Sequence, residues 1–362
     1  MIAAVILISF AAPASAESAY AAVTIEAQTG IALYSKNADI RRPMASTTKI
    51  MTALVALEEK PLDSVFVVSA SAAAVDGSQM GLAEGEKITL RDLLYMLMLK
   101  SANDAAEVIA ENVGGSIEGF AALMNARAEK IGLSDTHFVN PHGLPDDNHY
   151  TTARELALIA REALENKNFA ELVSTKSAHI SYRNMVLENS NRLLSSYEYA
   201  NGVKTGFTKK AGRCLVSSAT KDGVTLITVT LNDGNDWQDH VGLMEAGFAR
   251  VSCYEIYAPG EYVAERVVLN GSEKAVFKNT ESIYGVIIDG VKQEYIFKEN
   301  ISPSLYAPLF TGKEIAGLGM YSGNDLVYET PLCLCENVDP KEEPAGFFRK
   351  WVLTFFRLLR NL

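Results

Sequence analysis

The sequence has few of the residues that a metal site or a disulfide framework needs. It contains four cysteines and five histidines in 362 residues. No His-Glu-x-x-His or Cys-x-x-Cys pattern occurs among them, so we expect no metal and no cofactor. Cys214 and Cys253 are isolated in the sequence. Cys333 and Cys335 are two residues apart, so on a strand their side chains point to the same face without the ideal geometry of a disulfide. We therefore expect the cysteines to be mostly buried thiols.

Excess positive charge is also absent. The chain has 33 Lys and Arg against 44 Asp and Glu, a formal net charge of −11 at pH 7. Because a general nucleic-acid surface needs a basic face, this balance argues against a nucleic-acid partner. The length suits one large hydrophobic core and a smaller one.

Neither apolar end of the chain is long enough to span a membrane. The run from Ile2 to Ala12, followed by the small residues Ala14-Ser15-Ala16, predicts an export signal over residues 1–16. The alternative is a buried N-terminal strand.

The last stretch, residues 346–362, is typical of an amphipathic helix lying in a membrane interface. One helical face would carry Phe348, Trp351, Phe355, Leu358, Leu359 and Leu362, and the other Lys350, Thr354, Arg357 and Asn361. The alternative is a helix docked on the protein's own core.

The strongest chemical signal is Ser46-x-x-Lys49 at the start of an apolar helical run. A hydroxyl and an amine three residues apart on a helix lie on one face, so Lys49 can take the proton of Ser46 during attack. This requires the lysine pKa to fall from about 10.4 through burial or a second cation. Alone the motif is weak, because Ser218-x-x-Lys221 repeats it and, by itself, Ser46 is more simply interpreted as a helix cap followed by a solvated lysine.

Two further motifs follow. Ser101-x-Asn103 falls between a helix capped by Thr89 and a second helix, where a hydroxyl and a carboxamide can relay a proton and hold a substrate amide. The alternative is a helix cap, and Ser322-Gly323-Asn324 has the same pattern. Lys204-Thr205-Gly206 lies on or beside a strand, where glycine admits a ligand backbone and Lys204 and Thr205 offer a cation and a hydroxyl to a carboxylate.

The remaining patterns place these motifs in a fold. Alternating residues around Gln28-Thr29-Gly30 predict a hairpin, and Thr152 with Glu155 predicts a capping box. Short strands predict a small β-sandwich after Pro259-Gly260: Tyr262 to Val268, Ser282 to Ile288, Val291 to Phe297, Ile315 to Tyr321 and Leu326 to Tyr328. The predicted divisions are a signal peptide (1–16), a catalytic domain (17–258), a β-rich domain (259–335), a linker (336–345) and an anchor helix (346–362).

The three motifs in this order, with the surrounding segments 42–54, 99–106, 136–144 and 203–208, resemble the low-molecular-mass D-alanyl-D-alanine carboxypeptidases of peptidase family S11. The resemblance implies an α/β (α+β) serine β-lactamase/DD-peptidase-like domain, with an antiparallel sheet and a helical cluster. It implies catalytic roles for Ser46, Lys49, Ser101, Asn103 and Lys204, and substrate binding by Lys204, Thr205, Gly206 and Phe207.

The implied reaction is removal of the terminal D-alanine from peptidoglycan stem peptides ending in D-Ala-D-Ala, with β-lactams trapping Ser46. The implied location is the outer face of the bacterial cytoplasmic membrane, with the tail helix on the membrane surface. Two alternatives stay open. One is a β-lactamase, although the nearest match to its Glu-x-x-Leu-Asn motif is only Glu162-Ala163-Leu164-Glu165-Asn166. The other is a non-catalytic scaffold protein that binds the cell wall.

Overall fold

The computed structural model describes residues 17–313 and 315–341. The chain divides into two compact units after Ser252. The predicted signal segment 1–16 and the predicted helix 346–362 lie outside the described residues. Within the described residues, no helix combines the length and apolar character needed to cross a membrane.

The first unit combines strands with a group of helices. Its strands are β1 (Ala21–Glu26), β2 (Ala32–Lys36), β3 (Val65–Val67), β4 (Lys87–Thr89), β5 (Ser177–Ile180), β6 (Met185–Glu188), β7 (Ala200–Thr208), β8 (Gly212–Lys221) and β9 (Val224–Leu231). Its helices are α1 (Lys49–Glu59), α2 (Ala70–Ala73), α3 (Leu90–Leu99), α4 (Asn103–Gly114), α5 (Ile117–Ile131), α6 (Ala153–Glu165), α7 (Lys167–Ser174), α8 (Leu193–Ser196) and α9 (Asp236–Phe248). Short 3₁₀ turns cover Ala45–Thr48 and Tyr182–Asn184.

The main sheet is five-stranded, in the order β2-β1-β9-β8-β7, and its neighbouring strands are antiparallel. Successive side chains of β1 point to opposite faces, as strand geometry requires. Val23 and Ile25 join the core shared with the helices, whereas Ala22 packs with Leu243 of α9. Helices therefore cover both faces, which explains why β1 is buried along its whole length.

Helix α1 is the centre of the helical group. It contacts α3, α4, α5, α6 and α7. Every residue from Lys49 to Ala56 is buried, because a helix packed on all sides has no solvent face. The helix that begins at the Ser46-x-x-Lys49 motif is thus fixed by the core itself. The antiparallel sheet and helical cluster confirm the predicted fold class.

Local predictions are confirmed with one correction. Strands β1 and β2 form the predicted hairpin, and the Thr89 hydroxyl accepts from the Asp92 N–H at the start of α3. Thr152 likewise caps α6 by accepting from the Glu155 N–H. The reciprocal half of the predicted capping box is wrong: the Glu155 carboxylate accepts instead from the N–H groups of Ser134 and Asp135 and the Thr136 hydroxyl. The Glu155 carboxylate binds the loop at residues 134–136 because that loop places three hydrogen-bond donors next to it.

The second unit is β-rich. It begins within β10 (Val251–Tyr257), whose first two residues precede the division. Its other strands are β11 (Val263–Arg266), β12 (Val268–Leu269), β13 (Ala275–Asn279), β14 (Ile283–Ile288), β15 (Val291–Lys292), β16 (Ile296–Ile301), β17 (Leu305–Tyr306), β18 (Ala316–Ser322) and β19 (Asp325–Leu334). The sheets have the orders β11-β13-β19-β18-β16, β10-β14-β15 and β12-β17. Phe277, Ile283 and Leu318, from the two larger sheets, belong to one hydrophobic core.

The sequence predictions for this unit are incomplete in two places. The strand predicted over Leu326 to Tyr328 continues to Leu334, although it contains Pro331. Pro331 is tolerated because it pairs with Gly317 on one side, while pairing with β13 begins only at the next residue. Strand β13 was not predicted at all.

The cysteine prediction also needs correction. The four thiols are free, but only Cys214 is buried and Cys335 is exposed. Because Leu332 and Leu334 point into the core of the second unit, Cys333 falls on the opposite face of β19 and Cys335 continues that alternation.

Part of the segment predicted as a linker pairs with the β-rich unit. Val338 is buried and exchanges two backbone hydrogen bonds with Leu309. The Ser272 N–H donates to the Asp339 carbonyl, and the Lys341 N–H donates to the Asn270 carbonyl. Residues 338–341 are therefore fixed to this unit.

Candidate active site

Ser46 lies in the 3₁₀ turn that leads into α1. The residue before it, Ala45, has a left-handed backbone (φ 49°), which turns the chain sharply into the helix. His149 supports this turn: its Nδ1 accepts from the Val139 N–H, so its Nε2 carries the proton and faces the Thr48 hydroxyl at 2.8 Å. Burial lowers the His149 pKa to about 3, which keeps the ring neutral.

Lys49 is fully buried one helical turn from Ser46, with its Nζ 3.0 Å from the Ser46 Oγ. Nζ also donates to the Asn103 Oδ1 at 2.7 Å and to the His142 carbonyl at 2.9 Å. A neutral amine has two N–H groups and one lone pair. Those two carbonyl oxygens can take the N–H groups, which leaves the lone pair for the hydroxyl of Ser46.

The surroundings of Lys49 favour that neutral form. Burial is the largest effect and lowers its pKa well below 10.5, the positive charge of Lys204 lowers it further, and the Asp104 carboxylate opposes both. The other Ser-x-x-Lys match differs: Ser218 and Lys221 lie on strand β8, and Lys221 pairs with Glu245. Ser46 makes no side-chain cap for α1, so the cap alternative is wrong.

Ser101 and Asn103 lie where α3 ends and α4 begins, as predicted. Ser101 has a left-handed backbone (φ 61°), a conformation that costs a serine roughly 1 kcal/mol or more and that persists only where packing enforces it. Asn103 uses its Nδ2 to bind the Asp76 carbonyl at 2.6 Å, so its Oδ1 is left for Lys49.

Asp104, which the sequence did not single out, anchors the same region. Its Oδ2 accepts from the N–H groups of Met80, Gly81 and Leu82, and its side chain is buried. Three such hydrogen bonds fix the loop that packs against Asn103. This role depends on contacts with residues more than 20 positions away, so no local sequence pattern predicts it.

Strand β7 forms the side of the candidate active site that faces Ser46. Lys204 is buried, donates to the Thr205 carbonyl at 2.8 Å, and has its pKa lowered to about 7 by burial. Gly206 allows close approach: a Cβ there would lie 3.0 Å from the Ser46 nitrogen and 3.1 Å from the Thr47 nitrogen. The side chain of Phe207, next along the strand, is exposed.

These parts surround one cavity of about 400 Å³. It is lined by Ser46, Ser78, Ser101, Ser190, Arg192, Thr205, Gly206, Phe207, Arg213, Asp236 and Trp237. Three predicted site residues are buried behind this lining: Lys49, Asn103 and Lys204. Lys49 contacts Ser46 and Asn103, and Lys204 donates to the Thr205 carbonyl. The structure therefore brings together every residue that the sequence predicted for the site. No group of three or more possible metal-binding side chains occurs among the described residues.

Sequence reasoning missed two features of the site. The carbonyl of His142 contacts Lys49, in a loop where Gly143 has φ 86° and a Cβ would come within 1.9 Å of the Ala45 carbonyl oxygen. The Asn-Pro-His-Gly sequence of this loop is the signal that could have found the turn. The second missed feature is the ion pair of Arg213 with Asp236, which joins a strand to a helix.

This chain belongs to the D-alanyl-D-alanine carboxypeptidase family, peptidase family S11, whose model matches residues 9–235. Among its relatives, the D-alanyl-D-alanine carboxypeptidase DacF of Bacillus subtilis (strain 168) is 32% identical over 350 residues, covering 92% of this chain and 88% of that protein.

Solved structures agree. Penicillin binding protein 5 from Haemophilus influenzae matches with a TM-score of 0.64 at 26% identity, over 89% of this chain and 98% of that one. The DD-transpeptidase of Streptomyces K15 matches with a TM-score of 0.60 at 36% identity, over 64% of this chain and 98% of that one.

Proposed function

We propose that this enzyme releases the terminal D-alanine from peptidoglycan stem peptides ending in D-Ala-D-Ala, through an acyl-enzyme on Ser46. Family membership supports the reaction. The observation that carries the mechanism is the 3.0 Å contact between the Ser46 hydroxyl and the buried amine of Lys49. A lowered lysine pKa beside a serine at a cavity is what an activated nucleophile requires.

In acylation, the Ser46 Oγ attacks the carbonyl carbon of the last peptide bond while its proton passes to the Lys49 Nζ. The C–N bond then breaks as the proton held by Lys49 passes through the Ser101 hydroxyl to the departing nitrogen, which returns Lys49 to its neutral form. Free D-alanine leaves, and an ester to Ser46 remains. Asn103 orients Lys49 through its Oδ1, and we assign to it contact with the substrate amide from the resemblance to the family.

The oxyanion formed during attack needs two fixed donors. We assign them to the backbone N–H groups of Ser46 and Phe207. The close approach of Gly206 to the Ser46 nitrogen supports this assignment, because it puts the two backbone segments side by side. A side chain at position 206 would separate them.

Hydrolysis of the ester completes the cycle. A water molecule attacks the acyl carbon as Lys49 takes one of its protons. The ester C–O bond then breaks, Lys49 returns the proton to the Ser46 oxygen, and the shortened peptide leaves with a free carboxyl group. In a β-lactam the broken amide belongs to a ring, so the leaving nitrogen stays attached to the acyl group. We therefore expect β-lactams to be long-lived inhibitors that acylate Ser46.

Substrate binding is assigned to β7. Thr205 lines the cavity with Ser46 and offers a hydroxyl, while Lys204 is buried behind it and offers a cation. The backbone at Gly206 and Phe207 can pair with an extended peptide. The charge of Lys204 also lowers the pKa of Lys49, so it contributes to activation of the base.

D-alanine release from an acyl-D-Ala-D-Ala peptide tests the proposal. We expect release by the wild-type enzyme, none by Ser46→Ala, and near-normal release by Ser218→Ala, which removes the serine of the other Ser-x-x-Lys match. Penicillin hydrolysis with rapid turnover and no D-alanine release would establish a β-lactamase instead. A folded protein with neither activity would establish a binding protein.

The segment most similar to a β-lactamase deacylation motif has other contacts. Glu162 pairs with Arg127, and the Asn166 side chain caps α7. Neither residue lines the cavity described above.

We further propose that the protein is exported by residues 1–16 and held on the outer face of the cytoplasmic membrane by residues 346–362. The basis is their sequence pattern, since both segments lie outside the described residues. Deletion of 346–362 should move the protein from the membrane fraction to the soluble exported fraction. Retention in the membrane fraction would contradict the anchor. We also propose residues 17–258 as the catalytic domain and 259–335 as the β-rich domain.

A further inference from the structure

Exposed apolar side chains collect at one edge of the β-rich unit. In the segment 305–310, every second residue packs into the core of the unit: Leu305, Ala307 and Leu309. The residues between them are exposed: Tyr306, Pro308 and Phe310. The solvent side of this segment is therefore apolar along its whole length.

The neighbouring strand extends this surface. Strands β12 and β17 are parallel, with Val268 opposite Leu305 and Leu269 opposite Tyr306. Because the first pair is in the core, the second pair lies on the outer face, and Val267 beside it is exposed as well. We call these exposed residues the exit patch: Val267, Leu269, Tyr306, Pro308 and Phe310. The four large side chains among them are 67%, 45%, 63% and 47% exposed, in the order Val267, Leu269, Tyr306 and Phe310.

The backbone beneath the exit patch is fixed by hydrogen bonds. The Asn270 Oδ1 accepts from the Ala307 N–H at 3.1 Å, and its Nδ2 donates to the Ala307 carbonyl at 3.3 Å. The Thr311 N–H donates to the Asn337 Oδ1 at 2.8 Å. A surface that is already ordered loses little conformational freedom when a partner covers it.

The chain leaves the β-rich unit beside the exit patch. The Lys341 N–H donates to the carbonyl of Asn270 at 2.7 Å, and Asn270 directly follows Leu269. The predicted anchor helix begins at residue 346, and the five residues from 341 to 346 span at most about 18 Å. A helix lying in the membrane interface would therefore hold the exit patch close to the lipid surface.

We propose that the exit patch inserts into the headgroup region of the membrane and gives the folded unit a lipid contact of its own. This inference rests on the proposed anchoring by residues 346–362 and adds a second contact to it. Tyrosine and other aromatic side chains suit the boundary between lipid and water. The Lys313 Nζ lies 5.9 Å from the centre of the Phe310 ring, where its apolar stem can follow the patch and its charge can reach an anionic headgroup.

Charge alone does not select the membrane as the partner. The acidic residues Glu273 and Asp339 are exposed in the segments next to the exit patch, as are the basic residues Lys313 and Lys341. The contribution to binding is therefore assigned to the apolar and aromatic side chains, whose transfer out of water is favourable whatever the lipid charge.

A second apolar row in the same unit provides the comparison. Ile296 of β16 lies opposite Tyr321 of β18, which lies opposite Leu326 of β19. Ile296 and Leu326 are 55% and 44% exposed, much like Tyr306 and Phe310. The eight residues from Leu326 to the end of β19 carry the chain about 26 Å from this row before residues 338–341 reach the exit patch. The position of the tail thus favours the exit patch and not this row.

The test measures binding of the full-length enzyme to vesicles of phosphatidylcholine with a minority of phosphatidylglycerol, by co-sedimentation. The variants are Tyr306→Ser with Phe310→Ser, the matched control Ile296→Ser with Leu326→Ser, and a chain without residues 346–362. We expect the partition coefficient to fall about 10- to 100-fold in the exit-patch variant and less than about threefold in the control. Thermal unfolding and D-alanine release from a soluble peptide should match wild type in both double variants.

Wild-type binding by the exit-patch variant, or equal losses in the two double variants, would overturn the inference. Tighter binding by the exit-patch variant would show that the patch holds residues 346–362 of its own chain instead. A wild-type dimer without vesicles that this variant converts to a monomer would show that the patch joins two copies, and either result overturns the inference too. Equal binding with and without residues 346–362 would contradict the proposed anchor, so the two failures are distinguishable.

Discussion

At the scale of single residues, the site depends on two buried lysines. Lys49 and Lys204 are both fully buried. Among residues 17–313 and 315–341, the hydrogen-bond partners of their amines are hydroxyl and carbonyl oxygens, and no carboxylate is in contact. Burial favours the neutral form of each amine, because a desolvated ammonium is costly. A neutral amine can accept a proton from serine, whereas an ammonium cannot.

The pH dependence of kcat/KM should follow from the neighbours of Lys49. Protonation of Lys49 removes the base, so activity should fall as pH decreases through its lowered pKa. Lys204→Gln removes a positive charge, raises the pKa of Lys49 and should move this acid limb to higher pH. Asp104→Asn removes a negative charge and should move the limb to lower pH. Opposite shifts of the acid limb in the two variants would support Lys49 as the base. An acid limb at the wild-type pH in both variants would contradict that assignment.

Lys204 should also lower the stability of the fold near neutral pH. Its pKa falls from 10.5 in the unfolded chain to about 7 in the folded protein. Between these values the unfolded chain binds a proton that the folded protein does not, so Lys204 lowers the free energy of unfolding more and more as pH falls from 10.5 to 7. Below pH 7 this destabilisation is complete and is on the order of a few kcal/mol.

Replacing this residue should therefore stabilise the protein. We expect Lys204→Met to release D-alanine more slowly than wild type but to have a higher Tm at pH 7, with a smaller Tm difference near pH 10. Thermal unfolding at the two pH values measures this. A variant that is less stable at pH 7, or a difference that grows with pH, would contradict the assigned pKa shift.

At the scale of elements, the site depends on how closely β7 approaches the turn that carries Ser46. A Cβ at position 206 would lie 3.0 Å from the Ser46 nitrogen, tighter than ordinary contact. We expect Gly206→Ala to push β7 away and lower kcat/KM by about 100-fold, because small displacements of reacting groups are costly. Gly234→Ala is the control, since the atom nearest to its Cβ is 3.7 Å away.

Circular dichroism and thermal unfolding check whether both variants remain folded. Both variants should keep the wild-type spectrum, with activity lost only in Gly206→Ala. Full activity in Gly206→Ala would show that the approach of β7 to Ser46 does not limit the reaction.

Sequence alone predicted the elements better than the contacts between them. The spacing of Ser46 and Lys49 on one helix fixes their distance, so the pair could be inferred from local geometry. The His142 carbonyl and the pairing of Arg213 with Asp236 could not, because a backbone oxygen has no residue-type signature and the ion pair depends on how α9 packs on β8. The faces of Cys333 and Cys335 likewise depended on which side of β19 met the core.

At the scale of the whole molecule, the active site belongs entirely to the first compact unit. The Streptomyces K15 DD-transpeptidase aligns over 98% of its own length with only 64% of this chain. Almost the whole of a related protein thus corresponds to about two thirds of this chain. This supports the proposal that residues 17–258 form a catalytic domain that folds by itself.

A chain ending at residue 258 should therefore fold and release D-alanine from a soluble peptide with a kcat/KM within about threefold of the full-length value. Cooperative thermal unfolding and peptide kinetics measure the two properties. Aggregation, or a folded chain without activity, would show that residues beyond 258 complete the catalytic domain.

Mass spectrometry of the full-length enzyme after brief incubation with penicillin, followed by peptide mapping, identifies the nucleophile most directly. We expect one adduct of the penicillin mass, located on the peptide that contains Ser46 and absent from Ser46→Ala. An adduct on Ser101 or Ser218, or an unmodified enzyme under conditions in which it still releases D-alanine, would contradict the assignment of Ser46 as the nucleophile.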